Sequence, residues 1–386
     1  MLYDVAVVGA GVAGSCAAYA AAKRGLSVVL LEKEALPRYK LCGGAVTRKT
    51  MELLAGEGMR LPTKLFHEVR KVRVKIPGAE REIDVARGDI LTTYRDVLDY
   101  ALAKEAERAG TEIRDATRVR GIKLEHGKCL LETEHGEVSS RFVIGCDGVS
   151  SVVRKHFFGW RFPSRELGVA AEYEIPGLGL DAMEIHFGHA SFSYTWAFPK
   201  REGATIGVAE LASRLGESIV SRLESFASTL PYVKASELPP AKAHLIPMGG
   251  IRRKVAAPHA ALAGDAAGFV DPLSGEGTYY AALSGIKAAQ FVSEVLNGKE
   301  KSLLAYQSFC DRELLPDLRA MLYLGKLFYF NLDFSYHLFK NSDVLLSVIS
   351  ALGGGEPRPR VILRRALAFS LRSLPSYVVK RIGRRA

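Results

Sequence analysis

The sequence predicts an α/β protein: a parallel sheet packed between helices, an antiparallel sheet interleaved with it, and a helical C-terminal region. Three observations carry that prediction. Residues 5–32, VAVVGAGVAGSCAAYAAAKRGLSVVLLE, read as strand, glycine turn, helix and second strand. Two later segments, RFVIGCDGVSSVVR (141–154) and AALAGDAAGFVDPLSGEG (260–277), each run from an apolar strand into a glycine–aspartate turn and a helix start. Between them lie alternating patterns that suit antiparallel strands: VRKVRVKIP and REIDV, then EYEIP, MEIHFG, FSYTWAFPK and ATIGVAEL.

In the first segment Gly9, Gly11 and Gly14 give the G-x-G-x-x-G spacing, and Glu32 closes the second strand. Gly9 permits the tight turn, Gly11 leaves room for a pyrophosphate, and Gly14 lets the helix pack close to the strand. Ala13 belongs to the same backbone cradle. The helix N-terminus offers free N–H groups and partial positive charge to phosphates, while Glu32 can accept hydrogen bonds from a ribose. This is a Rossmann-type dinucleotide site. A cleaved signal peptide is not expected so close to the glycine turn.

The other two segments choose the dinucleotide. FAD is long, and a single βαβ turn holds only its pyrophosphate. A second acid-bearing loop serves the ribityl hydroxyls, and a helix N-terminus can stabilise negative charge on the reduced ring. Asp265 and the amides of Gly277 and Thr278 suit those tasks, and Asp147 lies in the other motif. No second strand–glycine–helix fingerprint is present for NAD(P)H; Gly353–Gly355 follow a helical pattern and read as a C-cap and linker.

Over residues 1–300 the ordered G-x-G-x-x-G, D-G and G-D motifs resemble the FAD-dependent oxidoreductases of the aromatic-hydroxylase type. That resemblance implies that Arg95, opening a helix in TTYRDVLDYAL, contacts the cofactor, and that the Val119 backbone meets the adenine. Two further patterns, KLCGGAV (40–46) and FSYTWAFPK (192–200), resemble the geranylgeranyl reductases, which saturate isoprenoid double bonds in archaeal lipids, chlorophyll side chains and quinone tails. The family's P-x-x-Y-x-W-x-F-P stretch is matched by Tyr194, Trp196, Phe198 and Pro199, with Ser191 where its first proline stands.

Read from the residues alone, Tyr194, Trp196 and Phe198 alternate onto one face of a strand. There they form either ordinary core or the wall of a tunnel for a polyprenyl chain; the resemblance favours the tunnel. Cys42, before Gly43 and Gly44, offers either a thiol with a chemical role or a small residue whose backbone meets the ribityl chain. It is the one catalytic candidate. His186 and His189 are possible proton donors by residue type, although such histidines are more often surface or loop residues.

In chain order, residues 1–66, 91–158 and 244–297 supply the FAD-binding domain, residues 67–90 and 159–243 an antiparallel substrate domain, and residues 298–386 a helical region. The 386 residues provide ample core, with no run of about 20 apolar residues to span a bilayer. The five cysteines lack metal-ligand spacing and suit a reducing cytoplasm. From Arg358 to Ala386 nine Lys/Arg residues interleave with apolar ones and no acid occurs, and the formal net charge is +11. Such a segment suits the surface of an anionic membrane. No nucleic-acid motif accompanies it.

The expected activity is therefore FAD-dependent reduction of a polyprenyl lipid or prenyl diphosphate at a cytoplasmic membrane surface. NADPH, or reduced ferredoxin or another electron-carrier protein, would supply electrons. The competing readings are an FAD monooxygenase or halogenase, an electron-transfer quinone reductase, and a non-catalytic flavin- and lipid-binding protein.

Overall fold

The computed structural model describes residues 1–190, 193–330, 332, 335–336 and 358–368. Strand Leu2–Val8 lies at the centre of an eight-stranded sheet, parallel to Gly136–Gly145 on one side and Val28–Leu31 on the other. Where a strand is enclosed on both edges and both faces it must be apolar, and Val5, Ala6 and Val7 are completely buried. Glu112–Arg114 extends the sheet beyond Val28–Leu31, and Ala260–Leu262 extends it beyond Gly136–Gly145. A hairpin of Val119–Glu125 and Lys128–Thr133 hangs from the long central strand.

Helix Val12–Lys23 packs between this sheet and helices Thr278–Leu296 and Arg95–Arg108. Its residues from Val12 to Ala21 are all buried, which explains the run of alanines: larger side chains would hold the layers apart. The crossing with Thr278–Leu296 is especially close. A Cβ on Gly285 would stand 2.2 Å from the carbonyl oxygen of Ala13.

The second sheet has seven strands in the order Lys242–Pro247, Leu167–Pro176, Gly203–Leu211, Thr195–Lys200, Met183–His186, Lys71–Ile76, Ala79–Asp84. The two chain segments separated in sequence meet where Met183–His186 pairs in parallel with Lys71–Ile76. One edge differs from the expected layout. The sequence places residues 244–247 with the FAD-binding domain, yet Lys242–Pro247 pairs with Leu167–Pro176. Most of that edge strand is exposed, so KAHLIP carries no hydrophobic alternation to announce it. Three short strands, Ala45–Thr47, Ile90–Thr92 and His67–Glu68, form a separate small sheet.

The faces of the second sheet follow the period of two. Ala197, Ile206 and Val208 meet helix Ile219–Ser228 through Leu223 and Phe226. Trp196 and Phe198 point the other way, toward Leu41, Val72 and Val74. The C-terminal region opens with Leu304–Phe309, passes through a wide π turn at Cys310–Leu314, and continues as helix Leu315–Phe330. Residues 359–368 are helical and pack on it through Ile362 and Ala366, against Met321 and Leu324. Gly353–Gly355, Ser191 and the tail beyond residue 368 lie outside the described residues. Among the described residues no helix is long and apolar enough to cross a membrane, and no His, Cys, Asp and Glu cluster is arranged to hold a metal.

Candidate active site

The glycine turn is built by close approach. Gly9 has φ +99°, and a Cβ there would lie 2.5 Å from the Cys146 carbonyl oxygen. A Cβ on Gly14 would lie 1.7 Å from the Gly9 oxygen. Gly11 differs: the nearest atoms are the tips of Arg38, Arg95 and Asp99, at 3.7–3.9 Å. Gly11 caps helix Val12–Lys23 without any side-chain cap, so its first amides are free for an anion.

A charged cluster surrounds that opening. Arg95 grips Asp99 with two hydrogen bonds, Nε to Oδ1 at 2.8 Å and Nη2 to Oδ2 at 2.9 Å. Arg38 bridges Asp99 at 3.1 Å and Glu32 at 3.2 Å. Glu32, 4 % exposed, also accepts the Ala10 amide at 2.8 Å, so it braces the turn. Two guanidinium groups beside free helix amides suit a pyrophosphate. Arg38 was not singled out from sequence; its contacts span 61 residues, and PRYK gives no local sign of them.

The remaining predicted cofactor residues divide into those facing the cleft and those turned elsewhere. Asp265 faces it, bound to Lys40 at 3.2 Å. Burial alone would raise its pKa, but Lys40 and Arg95 hold the carboxyl below its usual range. Gly277 caps helix Thr278–Leu296, and both Gly277 and Thr278 line the cleft, as do Ala13, Cys42, Gly43 and Gly44. Asp147 is the correction. Its Oδ2 accepts the amides of Val152 and Val153 at 2.6 and 3.3 Å, capping the next helix, and Oδ1 is buried without a partner. Its neighbours Cys146 and Gly148 line the cleft instead. Val119 opens the hairpin strand and does not border the cleft; Thr117, two residues before it, donates to the Glu32 carbonyl at 2.7 Å.

From the glycine turn the cleft runs about 330 Å³ past the Cys42–Gly44 turn and the aromatic strand to Leu324, Phe328 and Ala366. Tyr194, Trp196 and Phe198 all line it, with ring centroids 6.2 and 6.3 Å apart. The Tyr194 hydroxyl donates to the Ser274 carbonyl, tying this wall to the Pro272–Gly277 loop. That loop is stiffened by Asp271, which accepts the Leu273 and Ser274 amides, and by Glu276, which accepts the Tyr279 amide. His186 points away. It binds Glu184 at 2.7 Å and, with His189, packs on Phe226 behind the sheet.

These features can be compared with known proteins. A family model described as an FAD binding domain matches residues 2–211. A digeranylgeranylglycerophospholipid reductase 2 from Methanothermobacter thermautotrophicus is 33 % identical over 313 residues, 77 % of this chain and 79 % of that protein. The chain belongs to the geranylgeranyl reductase family of FAD-binding oxidoreductases. A digeranylgeranylglycerophospholipid reductase from Methanosarcina acetivorans is 30 % identical, with 78 % of each chain covered. In fold, the chain matches a geranylgeranyl bacteriochlorophyll reductase-like protein from Thermoplasma acidophilum with a TM-score of 0.79 at 22 % identity, over 99 % of this chain and 98 % of that one.

The C-terminal helix touches the same cleft through Ala366. Met321 and Leu324, 0 % and 7 % exposed, lie beneath it. Deleting residues 357–386 is therefore expected to leave FAD content unchanged, uncover those side chains, and increase binding of a hydrophobic dye severalfold. A flavinated truncation with unchanged dye binding would show that this helix does not cover the cleft.

Proposed function

We propose that the protein is an FAD-dependent reductase that saturates carbon–carbon double bonds in a geranylgeranyl or longer polyprenyl chain. The observation that carries this reading is the cleft itself. An apolar passage, walled by three aromatic rings, runs from the glycine turn to residues of the C-terminal helices. The relatives named as digeranylgeranylglycerophospholipid reductases supply the substrate class.

FAD, when bound and reduced, would supply hydride to one alkene carbon. The chain's residues would do the rest. An isolated trisubstituted alkene is unpolarised, so positive charge develops on the tertiary carbon as a proton adds to its neighbour, and that tertiary carbon is the one the hydride would reach. The faces of Tyr194 and Trp196 are suited to stabilise that charge, and the apolar wall excludes water that would capture it. Cys42 is the chain's proton-donor candidate, since its thiol borders the cleft, accepts the Gly44 amide at 3.3 Å and is also hydrogen-bonded to the Arg95 guanidinium. Arg38 and Arg95 would hold the pyrophosphate. NADPH or a reduced electron carrier such as ferredoxin would recharge the cofactor.

A membrane-resident substrate calls for access from lipid. The helix of residues 359–368, which lines the cleft through Ala366, exposes Arg364, Arg365 and Leu367, and Phe330 is 88 % exposed. This combination favours peripheral association with an anionic bilayer, in which basic residues contribute about 1 kcal/mol each.

The test is anaerobic stopped-flow mixing of photoreduced, FAD-loaded protein with geranylgeranyl diphosphate and with a geranylgeranylated glycerolipid. Expected are substrate-dependent flavin reoxidation and a product heavier by two hydrogens per reduced bond. Reoxidation no faster than in the substrate-free control, with no saturated product, would refute the reductase reading. Turnover that needs oxygen and yields hydroxylated or halogenated product would replace it with the monooxygenase or halogenase alternative.

A further inference from the structure

The Cys42–Gly44 turn is held from beneath by two buried groups of opposite charge type. Glu172, 1 % exposed on strand Leu167–Pro176, uses Oε1 to accept the Cys42 amide at 3.0 Å and the Tyr39 hydroxyl at 2.8 Å. Lys200, at the end of the aromatic strand, donates from Nζ to the Gly43 carbonyl. The fit is close on both sides. A Cβ on Gly44, whose φ is +71°, would lie 2.4 Å from that Nζ and 2.0 Å from the Thr93 oxygen. The other Glu172 oxygen is buried with no partner. A neutral amide would satisfy the same turn without the cost of burying a charge, so retention of an acid and a base needs a reason beyond capping.

We propose that Glu172 and Lys200 act together as positioning residues whose ionised forms fix the Cys42–Gly44 turn on the cofactor's side of the cleft. The inference rests on the FAD reading of the cleft and not on the identity of the substrate. An anionic Glu172 and a cationic Lys200 make charge-assisted hydrogen bonds to the two ends of one short backbone segment, roughly twice as strong as neutral ones. Loss of either charge loosens one end.

Burial sets when those charges exist. Desolvation pushes the Glu172 carboxyl up and the Lys200 ammonium down, while each charge favours the other. The doubly ionised state then occupies a window near neutrality. Protonation of Glu172 ends it on the acid side, and deprotonation of Lys200 ends it on the alkaline side. The other titratable groups facing these two are Tyr39, Cys42, Glu174, His67, Tyr94 and Lys242, the register partner of Glu172 on the neighbouring strand, which is unchanged in the variants below. Burial and Lys200 push the His67 imidazole down, so it is neutral within the window. Burial raises Tyr39 and Tyr94, which stay protonated there. Burial also raises Glu174, but that residue is unchanged in the variants below and cannot account for a limb they lose.

The experiment titrates the visible absorption spectrum of the FAD-loaded full chain from mildly acid to mildly alkaline pH, without prenyl substrate. Wild type is expected to show two spectral transitions flanking neutrality. Glu172→Gln should retain FAD and lose the acid transition; Lys200→Gln should lose the alkaline one. If Lys200→Gln does not fold, Lys200→Arg keeps the cation, cannot deprotonate in this range, and should also lose the alkaline limb. A wild-type spectrum independent of pH, or both limbs persisting in the variants, would overturn the proposal. Because no prenyl compound is present, absence of prenyl reduction would refute the function proposed above while leaving these limbs in place.

Discussion

Gly14→Ala is expected to abolish the folded protein, and Gly11→Val to abolish only cofactor binding. Both glycines belong to the same six-residue turn, but a side chain at each would meet different atoms. At position 14 a methyl group would lie 1.7 Å from the Gly9 carbonyl oxygen and 3.0 Å from its carbon, with the Cys146 side chain at 3.2 Å. The closest obstacles are backbone, so no rotamer change relieves them. Helix Val12–Lys23 would have to lift from a sheet against which Cys16, Ala17, Ala18, Ala20 and Ala21 are completely buried. Ordinary overpacking costs about 1–3 kcal/mol; displacing the central helix exceeds that and approaches the ~5–15 kcal/mol available to a folded domain. Soluble yield and the far-ultraviolet melting transition would measure it. At position 11 the conformation is extended, with φ −79°, and the surrounding atoms are movable side-chain tips. Valine costs only about 1 kcal/mol there as a poor N-cap, yet its branched side chain fills the space through which a phosphate reaches the helix amides. Gly11→Val should melt as a folded protein and bind FAD at least about tenfold more weakly, equivalent to ~1.4 kcal/mol. A Gly14→Ala protein with the wild-type melting transition, or Gly11→Val purified with a full complement of FAD, would contradict this division of labour.

The contrast explains what was legible in the sequence. The glycine turn, Glu32 and the Gly277 helix start are local: their backbone demands are written within a few adjacent residues. The aromatic strand was legible for the same reason, since alternate residues of one strand must share a face. Asp147 shows the limit of local reading. The dipeptide Asp147-Gly148 follows a strand as its pattern predicts, but the carboxylate turns toward the amides of Val152 and Val153. The residues beneath the Cys42 turn were invisible because their partners are distant in sequence. Glu172 meets Cys42 across 130 residues, and Lys200 meets Gly43 across 157. In EYEIP and WAFPK they resemble ordinary polar positions of strands. Only the packing of the second sheet against the first turns them inward.

Gly207→Val is expected to disable the aromatic wall while leaving the glycine turn intact. Gly207 sits directly across from Trp196 on the neighbouring antiparallel strand. The indole lies over it so closely that a Cβ would stand 2.0 Å from Cζ2 and 2.4 Å from Cε2. Glycine is thus the seat on which the ring lies flat. A branched side chain must push the indole outward, and its neighbours restrict where it can go. Phe198 and Tyr194 flank it along the strand, while Nε1 is already 3.3 Å from a Cβ position on Gly43. The remaining direction is the cleft, where the displaced ring would occupy the space assigned to the prenyl chain. Stability should fall by about 1–3 kcal/mol, the usual cost of overpacking. Prenyl turnover should fall far more, by about 100-fold, with FAD content retained. The chain has two tryptophans, so indole emission measured in a Trp160→Phe background reports Trp196 alone. A shift in that emission should accompany the loss of turnover. Adding Trp196→Leu to Gly207→Val should recover most of the lost stability, because contacting residues are non-additive when one relieves the other. Turnover should remain low in that double variant, since the aromatic face is gone. Wild-type turnover and unshifted emission in Gly207→Val would mean that the wall accommodates the added side chain, and that the position of Trp196 does not govern the reaction.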